Sequence, residues 1–356
     1  SSPVTRLVVA LAVGLLGLAP VLVATTRPVA AIGSTACGTV LATDFLADDV
    51  VGIDPLTHAP VPSTIGVGNG PIGIAVTPDG TTAIVPNFLA DTVSFIDLAT
   101  STAIGTAATG AAPYNVAITP DGTTAFVGNF VGGSVSVIDV ATHAHVTDIA
   151  VGANPWGLAV TPDGSSLWVT NSGSDSISTI PVATLVKDPV DITVVGTPAG
   201  LAFTPNGVTA YITLNGTPQL ASVVVATRVK HPVNITVGSN PAGIAITADG
   251  TMGYVTNNGT NTVSVVDLAA RTTVGSPIVV GAGPRSVVLS ADGSLVWIAL
   301  VNAAQVVAMD TSTLALVGSP IAVGQPMGLA IVPCIAPPPT TTTTAAIGPV
   351  APAFTG

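Results

Sequence analysis

The chain has 356 residues, 48% hydrophobic and only 7% charged, with a formal net charge of −11. So apolar a composition excludes a disordered chain. Its acidic balance repels phosphate backbones, which excludes DNA and RNA as partners. Glu is absent while Val, Ile, Thr, Gly and Pro abound, so the expected elements are strands and turns.

In chain order, Arg6 precedes an apolar run over residues 7–24, followed by small residues at Val29-Ala30-Ala31. That pattern predicts a cleaved signal peptide over residues 1–31. The alternative is a retained membrane anchor, since the run reaches 18 residues. Without Arg6 and Arg27 the balance is five basic against 18 acidic residues, or −13. The expected location is outside the cell, secreted or bound to the cell wall of a bacterium.

From residue 37 to 334 the chain repeats itself. Thr77-Pro78-Asp79-Gly80 returns as Thr119-Pro120-Asp121-Gly122 and Thr161-Pro162-Asp163-Gly164. It then drifts to Thr204-Pro205-Asn206-Gly207, Thr247-Ala248-Asp249-Gly250 and Ser290-Ala291-Asp292-Gly293. Successive Asp/Asn positions lie 42, 42, 43, 43 and 43 residues apart. A period in the low forties with four short apolar runs is the mark of propeller blades. One unit predicts strands at residues 243–247, 252–256, 262–267 and 272–280, joined by turns at Asp249-Gly250 and Asn257-Asn258-Gly259. Four antiparallel strands make a blade, and neighbouring blades bury each other's faces.

Tyr254-Val255-Thr256-Asn257 resembles the YVTN family of β-propeller repeats found in surface proteins and YncE-like proteins. Related forms are Trp168-Val169-Thr170-Asn171, Phe126-Val127-Gly128-Asn129 and Tyr211-Ile212-Thr213-Leu214. The resemblance implies fold rather than activity, and it makes the Tyr/Trp column core packing.

Both ends are needed to count blades. Residues 326–333 repeat an inner-strand opening and stop at Cys334, while the missing strands stand at residues 40–44, 50–54 and near 63–67. Six complete units plus this shared one predict an all-β, seven-bladed β-propeller, closed by N- and C-terminal strands in one blade. Cys37 and Cys334 fall where a hairpin turn would have joined the first two strands of that blade. A Cys37–Cys334 disulfide would replace the missing link; two unpaired buried thiols are the alternative. Residues 335–356 form a Pro/Thr-rich tail, a stiff extended spacer. It ends Pro352-Ala353-Phe354-Thr355-Gly356, which resembles a sortase sorting signal with Pro352 in the Leu position. That would attach the protein covalently to the wall; an incidental ending is the alternative.

No catalytic or metal-binding constellation stands out, and no cofactor is implied. His143 and His145 lie on the way to an outer strand, where a pair is usually solvated. Turn chemistry explains the Asp of each Asp-Gly pair. The repeats differ most just after the Pro that opens each inner strand, at one mouth of the channel. Ile72, Tyr114, Asn115, Trp156, Arg285, Ser286 and Met327 break a pattern that elsewhere reads Ala-Gly. The ligand-binding candidates are therefore Tyr114, Asn115, Trp156, Arg285, Ser286 and Met327. The aromatic pair suits stacking, and Arg285 suits a carboxylate. The bland reading makes Trp156 and Tyr114 a plug for the wide channel. The leading functional expectation is a non-catalytic exported surface propeller that binds a glycan or protein or acts as a scaffold. The alternatives are a lactonase-like hydrolase working at the channel mouth and a structural surface-layer subunit.

Overall fold

The computed structural model describes residues 37–334. The expected signal peptide (1–31) and Pro/Thr tail (335–356) lie outside the described residues.

Every sheet is antiparallel and has four or five strands, and there are seven of them among the described residues. The seam blade joins Pro326–Ile331 to Val40–Asp44, then Asp49–Asp54, with Ala59–Pro60 and Ile65–Gly66 sharing the outer edge. Blades two to seven follow in chain order, with inner strands Ala75–Val76, Pro113–Ile118, Pro155–Val160, Pro198–Phe203, Pro241–Ile246 and Pro284–Leu289. In blade two the inner strand is short, and Pro71 meets Asn87 through an isolated bridge. The single expected outer strand over residues 272–280 is two pieces, Thr272–Thr273 and Ile278–Val279. Gly275 at a φ of 66° and the missing N–H of Pro277 interrupt the ladder there.

The repeated Thr-Pro-Asp-Gly is a self-contained turn. Thr161 donates its hydroxyl to Asp163 at 2.6 Å, and the same carboxylate oxygen accepts the Ser165 N–H at 3.0 Å. Gly164 then takes a φ of 75°, which a side chain would resist. The same network closes the first hairpin of blades two to seven.

Packing is between blades. Among the described residues, seven apolar clusters form, one at each blade–blade interface. Trp168, Phe126, Tyr211 and Tyr254 are all buried in them, which is the core role expected of the Tyr/Trp column. At the seam–blade seven interface Val40, Ile53 and Leu329 meet Trp297 and Val306. The Thr of Tyr-Val-Thr-Asn does something different. Thr170 accepts the Gly157 N–H of its own inner strand at 2.8 Å and donates to the Ala199 carbonyl of the next blade at 2.6 Å. Thr213, Thr256 and Thr43 repeat this staple toward Ala242, Arg285 and Ile72. A Cβ at Gly157 would strike the Ala199 carbonyl, so the staple and the Gly belong together.

Cys37 and Cys334 form a disulfide across the seam, with Cα atoms 4.7 Å apart and a sequence separation of 297. The backbone repeats the turn it replaces: Val332 N–H donates to Thr39 at 2.9 Å, as Thr77 N–H donates to Thr82 at 2.8 Å elsewhere. His143, expected to be solvated, instead stacks on Phe95 with ring centroids 4.1 Å apart. Nε2 of its partner His145 lies 3.0 Å from Asp148 Oδ1, at hydrogen-bond distance.

Candidate functional site

Six of the seven inner strands start with Pro, and in blade two Pro71 precedes the short strand, so the residues after each Pro converge on the channel. They enclose a cavity of about 350 Å³. Tyr114, Asn115, Trp156, Arg285, Ser286 and Met327 all line it, and Ile72 joins them. Backbone contacts from the preceding blade fix two of these residues. Gly73 N–H donates to the Tyr114 carbonyl at 3.0 Å, and Thr256 donates to the Arg285 carbonyl at 2.6 Å.

Arg285 reaches across the channel from blade seven to blades three and four. Its guanidinium carbon lies 5.1 Å from the Tyr114 ring centroid and 5.7 Å from that of Trp156, inside cation–π range. Nη1 donates to the Met327 sulfur at 3.5 Å, a weak acceptor. Nη2 is buried and has no partner, and no carboxylate among the described residues pairs with this arginine. The side chain keeps part of its surface open to the cavity, yet protein crowds it. Burial lowers its pKa from the usual arginine value to about 10, which still leaves a cation at neutral pH.

Asn115 and Ser286 stand where other blades carry Gly. They occur in the two blades whose stapling Thr has become Gly128 and Ala299. Ser286 then accepts the Leu329 N–H of the seam blade at 3.0 Å, which supplies an inter-blade link in place of the missing staple. Asn115 instead accepts the Val116 N–H at 2.9 Å, leaving its amide nitrogen for the cavity.

Sequence reasoning missed the ring around Tyr114. Phe130 stacks on it at 5.2 Å, and Phe88 approaches to 6.2 Å. Both belong to hairpin tips between second and third strands, and comparing those tips from repeat to repeat would have found them.

Residues 92–336 match the family described as lactonase, seven-bladed β-propeller. The chain belongs to the seven-bladed β-propeller lactonase family. Residues 2–127 of this lactonase-family chain also match the YncE-like β-propeller model, in line with its Tyr-Val-Thr-Asn repeats. A search of curated proteins returned no match. Among solved structures, hydrazine synthase of Kuenenia stuttgartiensis is 23% identical with a TM-score of 0.70, over 79% of this chain and 94% of that one. The periplasmic gluconolactonase of Pseudomonas aeruginosa is 19% identical with a TM-score of 0.71, over 83% of this chain and 98% of that one. A functionally unknown protein from Desulfotomaculum acetoxidans is 16% identical with a TM-score of 0.72, over 83% and 99%. At such identities these structures establish the fold alone.

Family membership corrects the leading expectation of a non-catalytic surface module. That expectation rested on the lack of an acid, histidine or metal cluster at the mouth. The lactonase match favours the hydrolase alternative.

Proposed function

We propose that this protein is a lactone hydrolase whose site is the cavity around Arg285. The observation that carries the reading is Arg285, a cation with no carboxylate partner among the described residues, which lines a cavity of a lactonase-family propeller. A buried cation left unpaired is costly, and such cost is commonly retained where a ligand relieves it.

Lactone hydrolysis adds water or hydroxide to the ring carbonyl, placing negative charge on the carbonyl oxygen. Collapse then breaks the ring C–O bond, and the alkoxide so released takes a proton to give a hydroxy acid. Arg285 suits both stages, because its guanidinium can donate to the developing oxyanion and its charge then pairs with the product carboxylate. Tyr114 and Trp156 supply flat faces to hold the ring, and Asn115 offers an amide donor toward the attacking water. None of the lining residues is an imidazole or a carboxylate. The attacking species is therefore solvent hydroxide, and the protein contributes electrostatics and positioning.

We further propose that the enzyme works in an oxidising compartment outside the cytosol, a reading supported by the Cys37–Cys334 bridge.

The test is hydrolysis of glucono-δ-lactone and simple δ-lactones followed by pH-stat. With hydroxide as attacker and Arg285 charged to about pH 10, the rate should rise about tenfold per pH unit from roughly 6 to 9, without a bell. Enhancement over the uncatalysed reaction should stay constant over that range. A plateau or bell near neutrality would mean that a titrating base takes part and would overturn this mechanism.

A further inference from the structure

The hairpins that join second to third strands end on the same face as the cavity. Phe88 N–H donates to Gly70 and Phe130 N–H to Ala112, both at 2.9 Å, and Phe45 N–H donates to Gln325 at 3.1 Å. Each acceptor sits just ahead of the Pro that opens an inner strand. In the seam blade and blades two and three these tips read Phe45-Leu46, Phe88-Leu89 and Phe130-Val131. In the other four they read Ser172-Gly173, Asn215-Gly216, Asn258-Gly259 and Val301-Asn302. The turn itself therefore does not need an apolar tip.

Leu46, Leu89 and Val131 are 71%, 64% and 67% exposed. A Cβ added to Gly70 would touch both Leu89 and the Phe45 ring, so the tips of the seam blade and blade two meet there. Phe88 and Phe130 flank Tyr114, and Phe130 comes within 6.1 Å of Trp156. Tyr114 and Trp156 line the cavity. One apolar arc thus begins inside the cavity, beside the unpaired Arg285 donor, and runs outward over three neighbouring blades. Contiguous exposed apolar surface of this kind marks a binding face. A small, fully hydroxylated lactone would fill the cavity and leave the arc unused. An amphiphile with its polar head at Arg285 uses both.

We infer that the substrate is a lactone bearing an alkyl or acyl chain, its ring held at Arg285 and its chain laid along Val131, Leu89 and Leu46. This rests on the hydrolytic reading of the cavity. The experiment compares δ-valerolactone, δ-decalactone and δ-dodecalactone, which share one ring and differ in tail, on the whole protein. The expected result is a kcat/KM that rises roughly two- to fourfold per added methylene along the series. The triple variant Leu46→Asn, Leu89→Asn, Val131→Asn, which borrows the residue blade seven uses at its tip, should flatten that rise and leave δ-valerolactone unchanged. A flat series in the wild type, or a rise that survives the triple variant, overturns the inference.

Calorimetric binding of the ring-opened acids keeps the two readings apart. 5-Hydroxydodecanoate should bind at least about tenfold tighter than 5-hydroxypentanoate, and the triple variant should lose the difference. If that difference holds while no lactone is turned over, the hydrolytic reading fails and the amphiphile site stands. If lactones are turned over and the acids bind equally, the inference alone fails. Wild-type protein that sediments with phosphatidylcholine–phosphatidylglycerol vesicles, where the triple variant does not, would assign the arc to a membrane surface and overturn the inference.

Discussion

Thr213 shows how much one hydroxyl does in this ring. It accepts the Gly200 N–H at 2.7 Å and donates to the Ala242 carbonyl of the next blade at 2.8 Å. Thr213→Val keeps the shape and strands a polar backbone group, so it should cost about 1–3 kcal/mol in denaturant unfolding. An unchanged midpoint would mean that the staple carries no net stability. The turn Asp residues act in the same local way. Hydroxyls of Thr or Ser, then backbone N–H groups, hold Asp79, Asp121, Asp163, Asp249 and Asp292 below the usual carboxylate range. Asp310 is lowered to about 2, Ser312 being the first cause. Groups with depressed folded values contribute stability above the unfolded value of about 3.9 and lose it as the folded group gains its proton. The melting temperature should therefore hold down to about pH 4 and fall from there toward pH 2. A flat profile through that window would contradict the assignment of these hydrogen bonds.

At the scale of the blade, periodicity made the elements legible. The third strand Thr262–Asp267 and the seam strand Val40–Asp44 stand where the sequence places them, because alternation and turn residues specify both ends locally. The outer strands were not legible: their exposed residues carry no burial pattern, and Pro277 splits one of them. The mouth residues could be picked out because they break the repeat, but their chemistry could not. Arg285's lack of a partner, and its reach across to Tyr114, depend on packing between blades three, four and seven. The Phe tips were hidden in turns that read as punctuation. The exchange of Gly and Thr for Ser286 and Ala299 is also a property of contact, and it is testable as a cycle. Ser286→Gly and Ala299→Thr should each destabilise alone, whereas the pair together should recover about 0.5–3 kcal/mol by restoring the ordinary staple. Additive losses would show that the two sites do not compensate.

At the scale of the whole molecule, ring closure bears on stability and the role proposed for Arg285 bears on function. The seam blade is assembled from both ends, so the 297-residue separation closed by Cys37–Cys334 is the widest covalent link among the described residues. The chain-entropy model puts its contribution at about 6 kcal/mol as an upper bound. Cys37→Ser with Cys334→Ser should lower the melting temperature and leave a folded ring, because seven apolar interfaces remain. The same reasoning at the channel gives the opposite sign. Replacing a buried, unpaired cation by an apolar side chain of similar reach should leave stability unchanged or raise it. The most direct measurement of the central claim is therefore the pH-stat rate of lactone hydrolysis by wild type and Arg285→Met, with melting temperatures taken on the same preparations. A catalytic Arg285 predicts a loss of about 10²- to 10³-fold in kcat/KM with no fall in melting temperature. Full activity in Arg285→Met, or a large fall in its melting temperature with the rate unchanged, would make Arg285 part of a channel plug and contradict the account.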